Sequence, residues 1–171
     1  MLSAKEINRL AIPAILFNIT EPLIGLADIA IIGQLENDVI PAQGGVGLAA
    51  GLIATLIWGF AQMRTAVSAI VSRHYGKNDL KPTYSLIPQS LLVTLFTGLI
   101  VALSTGMFYS EIAHFLYGSI SNKTFVYSES YFVIRSIGLP MSLGIALFFG
   151  IFRGIQNTSW AMYISLFGGA V

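Results

Sequence analysis

The sequence has no cysteine. That excludes disulfides, thiolate nucleophiles and cysteine-held metals. It is also poor in charge: Asp, Glu, Lys and Arg make up 10% of 171 residues, whereas soluble domains carry about 25%. So few charges cannot wet the surface of a soluble domain of this length, and lipid is the solvent that fits. The formal net charge of +1 supplies no basic field for nucleic acid. No glycine-rich loop leads into Lys and Ser/Thr, no His-Glu-x-x-His occurs, and no nucleophile–base pair stands out. Nothing points to an enzyme or to ATP as a directly bound energy source. The two histidines, His74 and His114, fall at the edges of apolar stretches and read as solvated side chains. Asn122-Lys123-Thr124 has the form of a glycosylation acceptor, a triplet common by chance.

What the chain has in quantity is apolar sequence, 55% by composition. Four long stretches run over about 10–33, 46–71, 86–109 and 125–152, and a fifth begins near 160. Each of the four reaches the ~20 residues that a helix needs to cross ~30 Å of hydrocarbon. The ten-residue alternating segments of a membrane β-barrel are absent. The fold class expected is therefore all-α, a polytopic transmembrane helix bundle, with 1–171 as one transmembrane domain. The connections at 35–45, 72–85, 110–124 and 154–159 are polar and hold the turn formers, among them Asn37, Pro41, Gly76, Pro82, Gly118 and Asn157. Lys5 and Arg9 precede the first apolar run, which is too long for a signal peptide and reads as a retained span. Arg73, Lys77 and Lys81 fall in the second connection and Arg153 in the fourth, whereas the first has no basic residue and the third only Lys123. Basic residues gather on the cytoplasmic side, so the N-terminus is expected inside. The fifth stretch stops after about 12 residues, half a span at ~1.5 Å per residue, and the sequence reads as a piece of a longer protein.

Several residues are out of place in lipid. Asp28 falls in the outer third of the first helix, and Glu21 lies seven residues earlier on the same face, ~10 Å away along the axis. A carboxylate at mid-membrane costs about 2.5–3.5 kcal/mol. It persists where it reaches water, where it takes up a proton, or where it pairs with a buried arginine, here Arg64 or Arg135. Pro13 and Pro22 each remove a backbone hydrogen bond from that helix. Pro22 sits between the two acids, where it makes either a static kink or a bend that moves one acid against the other. In the second helix Thr55, Trp58, Gln62, Thr65 and Ser72 form one stripe, with Arg64 pointing elsewhere; in the fourth, Ser128, Tyr131, Arg135, Gly138 and Ser142 do the same, with Pro140 as a bend. Each stripe is either interhelical packing or the wall of a ligand cavity. Ser90, Thr94, Thr97 and Ser104 in the third helix read as packing, and Gly47 and Gly51 as a close helix contact.

Ala11-Ile12-Pro13, then Pro22-Leu23-Ile24-Gly25-Leu26-Ala27-Asp28 and Gly33, resembles the first helix of MATE (multidrug and toxic compound extrusion) transporters, especially the DinF-like branch. Gly47-Leu48-Ala49, Met63-Arg64-Thr65, Tyr75-Gly76, Tyr131, Ile134-Arg135, Gly138, Pro140 and Arg153-Gly154 with Asn157-Thr158 continue the likeness in order and spacing. Two departures are Ser72-Arg73-His74-Tyr75, where relatives more often have Ala-Gln, and the acid at Glu21. The resemblance implies a twelve-helix fold in two six-helix lobes, of which this chain supplies the first four and a half helices. It implies an antiporter in the cell (inner) membrane that exports amphipathic, mostly cationic drugs against H⁺ or Na⁺, with no cofactor beyond that ion. Its partners would be the small-molecule substrate, the bilayer and the remaining helices of the same protein. Asp28 would carry cation coupling, with Glu21 and Asn18 as further candidates. Trp58, Gln62, Arg64, Tyr131 and Arg135 would line the substrate cavity, and Pro13, Pro22 and Pro140 would act as hinges. Two alternatives stand beside it. One is a related flippase for a lipid-linked oligosaccharide, whose pyrophosphate would suit Arg64 and Arg135. The other is a short membrane assembly protein that transports nothing.

Overall fold

The computed structural model describes residues 11–12, 15, 19, 22–23, 25–60, 62–79, 81–157, 159–160 and 163. No strand occurs among the described residues, and their continuous helical runs of eight residues or more are α1 (25–32), α2 (Val39–Phe60), α3 (Gln62–Gly76), α4 (Thr83–Met107), α5 (Tyr109–Tyr117), α6 (Asn122–Ile137) and α7 (Leu139–Gly154). The helical run Val39–Gly76 (38 residues) and α4 (25 residues) are each long and apolar enough to cross a membrane. The pair α6 and α7 meets the same test as one span bent by 50°. The chain is an all-helical membrane bundle.

Two connections expected from composition are partly helical. The polar stretch 35–45 becomes α2 at Val39. Pro41 does not prevent this, because the first four N–H groups of a helix have no intrahelical acceptor for a proline to remove. The stretch 110–124 contains α5, a nine-residue amphipathic helix that buries Tyr109 and Ala113. It ends at Gly118, whose φ of 68° suits a residue without Cβ. The apolar stretch 125–152 is broken at Gly138, with Pro140 in the first turn of α7. A proline there donates no hydrogen bond back into α6, so α7 restarts at an angle.

The run α2–α3 lies parallel to α6–α7, and α4 runs antiparallel to both. Contacts along the first pair keep register. Gly45 lies under Thr124 and Ser128, Gly150 under Arg64, and Gly154 under Val71; a Cβ added at these glycines would stand 2.6 Å from the Thr124 carbonyl oxygen, 2.5 Å from that of Arg64 and 2.9 Å from Val71 Cβ. On α4, Gly98 meets Pro140 in the same way, at 2.8 Å. Between lipid-embedded helices there is little hydrophobic gain from association, so close backbone approach over small residues is what holds them. Among the described residues, none makes the close contact expected at Gly47 and Gly51: a Cβ added at Gly47 would have none of them within 4 Å, and one at Gly51 only the Tyr117 hydroxyl at 4.0 Å. The approach is made one helical face away, at Gly45.

Among the described residues, three apolar clusters fill the interior. Ala49, Leu52, Ile53, Tyr109, Ala113 and Phe132 pack near one end. Ala102, Leu139 and Leu143 pack at the bend, and Val67, Val71, Leu147 and Ile151 near the other end. Tyr109 and Ser128, both buried in this interior, share a hydrogen bond. At the first end Lys123 pairs with Asp38 at 2.6 Å and the Tyr117 hydroxyl donates to the Leu48 carbonyl at 3.0 Å. Arg73 and Arg153, in the last turns of α3 and α7, lie at the opposite end. Of the third-helix residues expected to pack, Thr94 is buried, Ser90 and Thr97 are half-buried, and Ser104 is exposed.

Candidate cation-coupling site

The chain places Asp28 one turn before the end of α1. Gln43 on α2 holds that end by donating to the Ile29 carbonyl at 3.5 Å. On α6, residues 123, 127, 131 and 135 recur every fourth position and share one face. Two members of that face reach the 28–38 segment. Lys123 meets Asp38, and two turns further along the Tyr131 hydroxyl donates to Asp28 Oδ2 at 2.5 Å. Tyr131 is nine residues into α6, which is ~13 Å from the helix start. The carboxyl group is therefore held at depth within the bundle, half-buried.

Of the arginines that the sequence offers as partners for Asp28, neither is the one that bonds to it. Arg135 sits one turn beyond Tyr131, with its guanidinium 6.0 Å from the centre of that ring. Arg64 lies in the other half of the bundle, its guanidinium 5.7 Å from the centre of the Phe149 ring. Asp28, Tyr131 and Arg135 thus form one group, ordered as carboxyl, phenol, guanidinium. A phenol hydroxyl serves a carboxyl group in either protonation state, because it can donate to a carboxylate or to the carbonyl oxygen of the neutral acid. Asp28 Oδ1 has no hydrogen-bond partner among the described residues, which leaves it available to a proton or a cation. No group of three or more His, Asp or Glu suited to a metal ion occurs among the described residues.

The remaining residues singled out from the sequence are distributed as follows. Asn18, Glu21 and Pro13 lie outside the described residues. Pro22 is helical and exposed. Pro140 is at the bend between α6 and α7. Trp58 is exposed and tied to Gln62, whose Nε2 donates to the Trp58 carbonyl at 3.4 Å. The rest of their stripe is also exposed, and Thr55 and Ser72 satisfy their hydroxyls on carbonyls of their own helix. Helix packing among the described residues does not use this stripe. The fourth-helix stripe divides: Ser128 is buried against Tyr109, Tyr131 is half-buried, and Arg135 and Gly138 are exposed. The pairing of Asp28 with Tyr131 joins two residues the sequence marks separately. No spacing rule links positions 103 apart, so no sequence signal could have joined them.

The MatE family model matches residues 13–171. Among curated proteins, "DNA damage-inducible protein F" of Escherichia coli (strain K12) is 29% identical over 154 residues, covering 90% of this chain and 33% of that protein. "Probable multidrug resistance protein NorM" of Thermotoga maritima is 26% identical over 164 residues, covering 94% of this chain and 34% of that protein. The chain spans about a third of the length of these relatives. No solved structure matches it significantly.

Proposed function

This chain belongs to the MatE family, and on that premise we propose that it forms part of the first lobe of a cation-coupled antiporter, driven by H⁺ or Na⁺, that exports amphipathic, mostly cationic compounds by alternating access. The relative named as a probable multidrug resistance protein supports drugs as the substrates. The basic residues of the second and fourth connections support an N-terminus on the cytoplasmic side of the cell membrane.

The observation that carries the reading is the Asp28 carboxyl group, held at bundle depth by a phenol rather than neutralised by a guanidinium. An aspartate locked to an arginine has little reason to change charge. One bonded through a single oxygen to a neutral donor keeps the other oxygen for the coupling ion. Ion binding at Asp28 removes its net charge and so alters its contact with Tyr131 on α6, and drug and ion then compete through one conformational equilibrium. Movement of one lobe against the other supplies alternating access.

The test is Asp28→Asn in the full-length protein, assayed as dye efflux from proteoliposomes across imposed H⁺ and Na⁺ gradients. Efflux should lose its dependence on the coupling gradient. Normal gradient dependence in the variant would refute the coupling role. Efflux of lipid-linked sugar instead of dye would favour a flippase.

A further inference from the structure

We infer that the Arg153 end of the bundle is a docking surface for anionic phospholipid headgroups. The helices α3 and α7 run side by side, and the last residue of α7, Gly154, lies against Val71 and the Ser68 carbonyl in the C-terminal half of α3. Arg73 in the last turn of α3 and Arg153 in the last turn of α7 are thereby brought to one rim, both exposed. Lys77 and Lys81, in the turn leading to α4, add two more exposed cations. The single acid of that turn, Asp79, is directed at backbone: it accepts the Lys81 N–H at 3.3 Å. Four basic residues less one acid leave +3 at this rim. None of the four cations has a side-chain hydrogen bond or ion pair among the described residues.

The opposite end is built differently. Its basic residue, Lys123, is already engaged with Asp38, and Glu36 and Glu111 are exposed on the neighbouring segments. Only the Arg153 end, among the described residues, presents unsatisfied positive charge. It also carries exposed amphipathic rings: Tyr84, 73% exposed in the first turn of α4, and Trp160, 58% exposed just beyond α7. Such rings settle at the headgroup level of a bilayer. Membrane-length apolar helices begin directly beside these cations, so the phosphates of the adjacent leaflet lie at the same height as the guanidinium and ammonium groups. An acidic protein or a nucleic acid would have to displace those headgroups to reach them. The positive-inside rule orients a chain by charge count alone. Here the cations are also gathered on one rim, unneutralised and flanked by interfacial aromatics, which suits retention of one headgroup class. The inference depends on the chain lying in a membrane and not on antiport.

A native mass-spectrometric competition tests it, with the full-length protein in micelles containing equal amounts of phosphatidylglycerol and phosphatidylcholine. The parent protein should retain phosphatidylglycerol in several-fold excess. A basic residue near an anionic surface changes affinity by about fivefold. The double variants Arg73→Gln/Arg153→Gln and Lys77→Gln/Lys81→Gln should each reduce the excess at least that much, while Lys123→Gln leaves it unchanged. Two separate double variants keep the test informative if one of them fails to fold. Equal retention of both lipids by the parent would overturn the inference. So would an undiminished excess in both double variants, an equal loss in Lys123→Gln, or capture of a poly-glutamate peptide in place of phosphatidylglycerol.

Discussion

The phenolic hydroxyl of Tyr131 donates to Oδ2 of Asp28 at 2.5 Å, across 103 residues of chain. With Lys123 and Asp38 two turns away on the same face of α6, it makes α6 the support against which α1 rests. Tyr131→Phe removes only the donor and keeps the ring beside Arg135. A hydrogen bond to a charged group contributes about 1.5–3 kcal/mol, and ~1.4 kcal/mol corresponds to tenfold in an opening equilibrium. Amide hydrogen exchange over 25–32 should therefore quicken by about tenfold to a hundredfold, with α7 unaffected. An unchanged exchange rate would mean that Tyr131 does not anchor α1.

Gly45 and Gly47 sit two positions apart on α2 and should respond to the same change with opposite signs. A methyl at Gly45 would stand 2.6 Å from the Thr124 carbonyl oxygen and 2.8 Å from the Ser128 nitrogen, both backbone atoms that cannot swing aside. Gly45→Ala should cost about 1–3 kcal/mol through overpacking. At Gly47 none of the described residues lies within 4 Å, so Gly47→Ala should gain up to about 1 kcal/mol from helix propensity. Unfolding midpoints of the two variants in one detergent check this. A loss of stability at Gly47 as large as at Gly45 would place the helix contact on the wrong face.

Tyr109 and Ser128 give a coupled pair buried between α5 and α6. Tyr109→Phe or Ser128→Ala alone leaves the partner hydroxyl without its bond in a dry interior, at about 1–3 kcal/mol. The double variant removes both polar groups and should cost clearly less than the sum. A double-mutant cycle on unfolding free energy reads the coupling directly. Strict additivity would show that the two hydroxyls do not depend on each other.

Much of this architecture is legible in single stretches of sequence. The apolar runs at 46–71, 86–109 and 125–152 correspond to helical runs over 39–76, 83–107 and, with one break, 122–154. Pro140 marks that break. The site is legible only as separate residues. Asp28 is conspicuous because a carboxyl group is costly in lipid, and Tyr131 and Arg135 because they share a polar stripe. The sequence offers an arginine as the static partner of Asp28, and the structure puts a tyrosine there, with Arg135 behind its ring.

The glycines show where sequence reading stops. Gly47 and Gly51 have the four-residue spacing of a close helix contact, and so do Gly150 and Gly154; among the described residues the second pair packs against α3 and the first is open. Small residues at that spacing state that a backbone can be approached, not that a neighbour is there. The sequence by itself determined the solvent, the helical class, the approximate positions of the long apolar helices and the charge difference between the two ends, because hydropathy and charge are properties of one segment at a time. The tertiary structure alone decided that α2–α3 runs parallel to α6–α7, that Gly45 takes the contact, and that Asp28 meets Tyr131. Those facts depend on the rotation and offset of one helix against another, which are set by the fit of both surfaces at once.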